Sequence, residues 1–140
     1  MTRKILIIED EPEIQAILSM SLQHAGGFDV ILANDGIEGI EMALDQSPDL
    51  ILLDVLMPKL DGYATCRRIK QNERISNIPV IFLTAKTDPH EVDRAMRAGA
   101  SGYVAKPFDP LKLAGQIARI ADGGANVARQ SFRRHRRGAH

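Results

Sequence analysis

Residues 49–54 read Asp49-Leu50-Ile51-Leu52-Leu53-Asp54, four consecutive apolar side chains with a carboxylate at each end. A strand with one wet face alternates apolar and polar residues. An unbroken apolar run of this length is what a strand covered on both faces requires. Four more short β-branched or leucine-rich runs lie along the chain: Lys4–Ile8 (KILII), Phe28–Ala33 (FDVILA), Pro79–Leu83 (PVIFL) and Gly102–Ala105 (GYVA); the central strand itself reads Asp49–Leu53, and three of the five are almost continuously apolar. Helical patterns separate them. Ile14, Ile17, Leu18 and Leu22 fall on one helical face. Pro12 suits the first helical position, and Gly26-Gly27 supply a left-handed stop. Ile37, Ile40, Ala43 and Leu44 repeat the pattern before Pro48. Tyr63, Cys66 and Ile69 follow Asp61-Gly62; Val92, Ala95 and Met96 precede Gly99; Leu111, Ala114, Ile117, Ala118 and Ala121 follow Pro110. Five alternating β-α units predict an α/β fold. It is a single doubly wound, five-stranded parallel sheet with helices on both faces and right-handed crossovers.

Composition narrows the class. A length of 140 residues suits one domain. With 44% hydrophobic and 26% charged residues, collagen-like and wholly disordered chains are excluded. No run approaches the ~20 apolar residues of a membrane span, and ILII at residues 5–8 is too short for a secretory leader. The lone Cys66 cannot form an internal disulfide, which suits a reducing cytoplasm. The net charge of zero hides a division. Residues 1–122 hold 13 bases against 18 acids, a net of −5, while Arg129, Arg133, Arg134, Arg136 and Arg137 give the last eighteen residues +5. The expected organisation is a folded domain over 1–122 and a basic, disordered tail over 123–140. The tail has the charge to touch RNA, DNA or an anionic membrane. A solvated extension accounts for it more simply, so nucleic acid is not an expected partner.

In doubly wound sheets, ligands bind beyond the carboxyl ends of the strands. The predicted ends carry Glu9-Asp10-Glu11, Asp54, Thr84-Ala85 and Lys106-Pro107. Gathered carboxylates repel one another and are costly to bury. Mg²⁺ removes that cost and keeps room for water and a phosphate oxygen. A phosphate suits Lys106 as a point charge and Thr84 as a donor. Asp54, rigidly placed by its apolar strand, is the candidate nucleophile, since an aspartate can attack phosphorus to form an acyl phosphate. Mg²⁺, Lys106 and Thr84 would stabilise the transferring group. Each residue also has a plainer reading. The acids could cap the following helix, Lys106 could be solvated, and Tyr103 could be a half-buried strand aromatic. Cys66 reads as a small packing residue, and His24 and His90 as surface residues.

The set IIEDE (7–11), LILLDVLMPKLDG (50–62), PVIFLTA (79–85) and GASGYVAKPFDP (99–110) resembles the receiver domain of bacterial two-component response regulators, over residues 4 to about 121. The resemblance implies a flavodoxin-like strand order of 2-1-3-4-5 and makes Asp54 the phosphoacceptor. It implies Mg²⁺ held by Asp10, Asp54 and the backbone carbonyl of Leu56, with Glu9 acting through a coordinated water. Thr84 and Lys106 would contact the phosphoryl group, and Tyr103 would be an aromatic switch. The Lys106–Pro107 bond would be cis. Partners would be a sensor histidine kinase or histidine phosphotransfer protein, an unidentified target protein, and a phosphorylation-dependent second copy. Such a protein catalyses only its own phosphorylation and slow dephosphorylation, so no classical enzyme is expected. With eighteen residues after the domain, the chain reads either as a stand-alone receiver or as a fragment of a longer regulator.

Other classes compete. A Mg²⁺-dependent phosphohydrolase could also use an aspartyl phosphate, but it needs a substrate cap and commonly a second aspartate where this chain has Leu56. A degenerate receiver could act as a constitutive protein- or nucleic-acid-binding module, through the helix-four to helix-five face or the basic tail.

Overall fold

A computed structural model describes residues 3–57 and 59–123; the tail expected over 123–140 lies outside the described residues except for Gly123, which is helical and belongs to the folded domain. Five strands, β1 (Lys4–Ile8), β2 (Asp29–Ala33), β3 (Leu50–Asp54), β4 (Val80–Thr84) and β5 (Gly102–Ala105), form one sheet in the order β2-β1-β3-β4-β5. Every neighbouring pair is parallel. Helices α1 (Pro12–His24), α2 (Gly36–Gln46), α3 (Gly62–Gln71), α4 (Pro89–Arg97) and α5 (residues 113–123) lie between and after the strands. None is long and apolar enough to cross a membrane.

Alternation along the central strands builds two cores. Leu6, Ile8, Ile51, Leu53, Val80 and Phe82 face one side with Tyr63, Cys66 and Ile69 of α3 and Ala95 of α4. Ile5, Ile7, Leu50, Leu52, Ile81 and Leu83 face the other with Leu18 and Leu22 of α1 and Leu113 and Ile117 of α5. This is the pattern of strands covered on both faces. Cys66 is fully buried and unpaired, and burial pushes its thiol up to about 11.

The structure shifts several boundaries. β3 and β4 run one residue further than the apolar runs, so Asp54 and Thr84 close their strands instead of following them. Pro79 drops out because it has no N–H to give; its carbonyl still accepts from Ile51 N–H at 3.0 Å. Phe28 precedes β2 and is buried, with the Arg3 guanidinium 5.4 Å from its ring centre. Three expected core residues are exposed: Ile17 at 43%, Ile37 at 47% and Leu111 at 87%. Leu111 lies in the turn before α5. In α2 the buried residues are Gly36, Gly39 and Ala43, because the helix sits so close to β1 that a Cβ on Gly39 would collide with Ile8.

Side-chain caps start three helices. Asp35 Oδ1 accepts from Glu38 N–H at 2.9 Å, Asp61 Oδ1 from Ala64 N–H at 2.8 Å, and Asp88 Oδ1 from Glu91 N–H at 3.1 Å. Helix α1 differs. Glu11 holds its cap position without a side-chain cap hydrogen bond.

A carboxylate cluster at the strand ends

The parallel order brings the ends of β1, β3, β4 and β5 to one edge of the sheet. Glu9, Asp10 and Asp54 each present a carboxylate oxygen there, all within 4.8 Å of one another. Glu9 has no exposed surface and Asp54 is 4% exposed, whereas Asp10 is half-buried. Lys106 reaches in from the residue after β5. Its Nζ donates to Asp54 Oδ1 at 3.0 Å and stands 3.8 Å from Glu9 Oε1. The Lys106–Pro107 peptide is cis, as the resemblance implied.

One ammonium does not balance this cluster. Glu9 Oε2 accepts from Glu11 N–H at 3.2 Å, but Glu9 Oε1 is buried with no hydrogen-bond partner. Burial pushes the Glu9 carboxyl from an ordinary 4.5 up to about 7, and the Asp54 charge adds to the rise; Glu11 N–H and Lys106 oppose it. A buried carboxylate oxygen with no hydrogen bond, beside two more carboxylates, is the donor chemistry that a hard divalent cation such as Mg²⁺ satisfies. The residues present fit that ion.

The remaining expected residues stand nearby but are differently engaged. Thr84 is buried, and its hydroxyl accepts from Lys86 N–H at 3.0 Å and lies 3.3 Å from the Lys86 carbonyl. Among the described residues it makes no bond to Asp54. Tyr103 is half-buried against the α3–α4 side of the core, and burial raises its hydroxyl above the usual 10. Leu56 follows Asp54 by two residues and is 66% exposed. The loop after β3 turns tightly into α3, where a Cβ on Gly62 would meet the Asp54 carbonyl oxygen at 2.6 Å.

Sequence reasoning passed over residues that support the cluster. Gln15 in α1 and Asn34 after β2 hold the Glu9 backbone through side-chain amides. A lone polar residue on a helix carries no signal of that role. Beyond the cluster, Tyr63 ties α3 to α4. Its hydroxyl donates to Glu91 Oε2 at 2.7 Å, the Arg94 guanidinium lies 4.0 Å over its ring, and its edge meets Phe82 at 5.4 Å.

The family model of the response regulator receiver domain matches residues 5–118. The chain is 40% identical over 114 residues to the DNA-binding dual master transcriptional regulator RpaA of Synechocystis sp., covering 81% of this chain and 47% of that protein. It is 38% identical over 120 residues to the alkaline phosphatase synthesis transcriptional regulatory protein PhoP of Bacillus subtilis, covering 86% and 49%. The chain thus spans about half the length of these curated relatives. The expectation against a nucleic-acid partner finds no support in them, since RpaA is described as DNA-binding. Among solved structures, the chemotaxis response regulator CheY4 of Vibrio cholerae superposes with a TM-score of 0.81 at 30% identity, covering 86% of this chain and 99% of that one. The receiver domain of the sensor histidine kinase PA1611 of Pseudomonas aeruginosa, described with a magnesium ion coordinated in its active-site cleft, superposes at 0.77 with 34% identity, covering 86% and 98%. A matching family model, a shared fold and relatives at this identity lead to one conclusion: the chain belongs to the response regulator receiver domain family.

Proposed function

We propose that this domain is a phosphorylation-activated switch in which Asp54 accepts a phosphoryl group from a phosphohistidine on a sensor kinase or histidine phosphotransfer protein. The observation that carries the reading is the cluster of buried Glu9, half-buried Asp10 and buried Asp54 with Lys106 hydrogen-bonded to the nucleophile candidate. An Asp54 carboxylate oxygen attacks phosphorus, a P–O bond forms, and the donor's P–N bond breaks with its electron pair left on the imidazole. Lys106 offsets charge at Asp54 and is close enough to follow the phosphoryl oxygens. Asp10, Asp54 and the Leu56 carbonyl would hold Mg²⁺, with Glu9 acting through water; when bound, the ion offsets the charge of the carboxylates and the transferring group. Thr84 would exchange its bonds to the Lys86 backbone for one to the phosphoryl group. That exchange loosens the turn into α4, and the face built by α4, β5 and α5, about residues 88–121, would present a changed surface to a target or a second copy. Tyr103 lies on that face and would turn with it. The only chemistry catalysed is the domain's own phosphorylation and slow dephosphorylation, in the cytoplasm.

Incubation with Mg²⁺ and acetyl phosphate, read by intact mass, tests this. The expected gain is one phosphoryl group, dependent on Mg²⁺ and absent in Asp54→Asn. No gain under conditions that charge a control receiver would favour a degenerate receiver that binds its partner constitutively.

A further inference from the structure

Residues 9–11 join β1 to α1, yet two of the acids they carry, Glu9 and Asp10, are held in a cluster with Asp54. We infer that Gln15 is the positioning residue of this cluster, acting through the Glu9 backbone; the inference rests on the metal-dependent receiver reading. Gln15 Nε2 donates to the Glu9 carbonyl at 2.5 Å and to Asn34 Oδ1 at 2.9 Å. Asn34 in turn donates its backbone N–H and its Nδ2 to Glu38 Oε1, at 3.2 and 3.4 Å.

The direction of this chain is set at its far end. A carboxylate only accepts, so Asn34 aims nitrogen at Glu38 and oxygen at Gln15, and Gln15 must donate. Four elements are linked in this way: the ends of β1 and β2 and the first turns of α1 and α2. Gln15 also gives its backbone N–H to the Glu11 carbonyl at 3.0 Å, while Glu9 N–H donates to the Ala33 carbonyl at 3.1 Å. The Glu9 backbone is therefore held from α1 on one side and β2 on the other. Rotation of the Glu9–Asp10 peptide would carry the Asp10 carboxylate away from Glu9 and Asp54. Groups that orient metal ligands without touching the ion have large effects on affinity.

The test is calorimetric titration of Mg²⁺ into the full metal-free chain, alongside thermal melts in chelator. Gln15→Leu keeps the side chain's size and removes the amide; its expected Mg²⁺ affinity is about 5- to 10-fold weaker. Asn34→Leu leaves the Gln15 bond to Glu9 in place, and a loss of about 2-fold is expected. Lowered melting midpoints with wild-type Mg²⁺ affinity in both variants would show a structural role and overturn the inference. Wild-type affinity in Asn34→Leu alone, should Gln15→Leu not fold, would overturn it too. Absence of Mg²⁺ binding by the wild type would overturn the metal-dependent reading and this inference together.

Discussion

A carboxyl with no exposed surface and one oxygen that accepts no hydrogen bond leaves a mark on stability against pH. Glu9 keeps its proton up to about 7 in the folded state, against 4.5 ordinarily. Between those values the folded protein binds more protons than the unfolded chain. Stability is therefore highest below 4.5 on this account and falls as pH rises through 7. The expected loss is about 1–3 kcal/mol. Urea melts in chelator at pH 5 and pH 8 measure it. Wild type should lose stability relative to Glu9→Gln, and parallel profiles for the two proteins would dispose of the idea. At this scale the sequence announced what carries charge. Glu9, Asp10, Asp54 and Lys106 stand at strand ends in plain view, and the structure brings them together. Gln15 and Asn34 were illegible because their role depends on which amide meets which carbonyl, and no spacing rule encodes that.

Elements show the same split. Short β-branched and leucine-rich runs located all five strands to within one residue at either end; the signal is cleanest in β3 and β4, buried along their whole length, where no outward polar residue blurs the pattern. Helical faces were less legible. The burial of α2 is decided by two glycines, Gly39 against Ile8 and Gly36 against Thr65 and Leu60, and a count of apolar positions misses them. Helix α4 sits at the edge the proposed switch would move, and it is tied to α3 by Tyr63, Glu91 and Arg94. Tyr63→Phe keeps the ring between Phe82 and Arg94 and removes only the hydroxyl. The expected cost is about 1–2 kcal/mol in urea unfolding. Amide exchange should quicken in α4 and stay unchanged in α1; equal quickening in both would show that the bond is not local to α4.

Over the whole molecule, the site exists only because a parallel sheet pools residues from distant parts of the chain; Glu9 and Lys106 are 97 positions apart and their side chains stand 3.8 Å apart. The strand order that achieves this is β2-β1-β3-β4-β5, and periodicity alone could not choose it. The resemblance carried by the four motifs did. The same architecture places Cys66, the chain's single cysteine, inside one of the two cores with its thiol protonated at neutral pH. A thiolate is the species that alkylating reagents attack. Maleimide should therefore label the native protein only at the rate at which α3 lifts from the sheet. Labelling should accelerate with urea and slow when a ligand of the folded state is added. Immediate labelling without denaturant would mean that this core opens on its own. Cys66 is in effect a built-in clock, one that counts the openings of half the domain without any added probe.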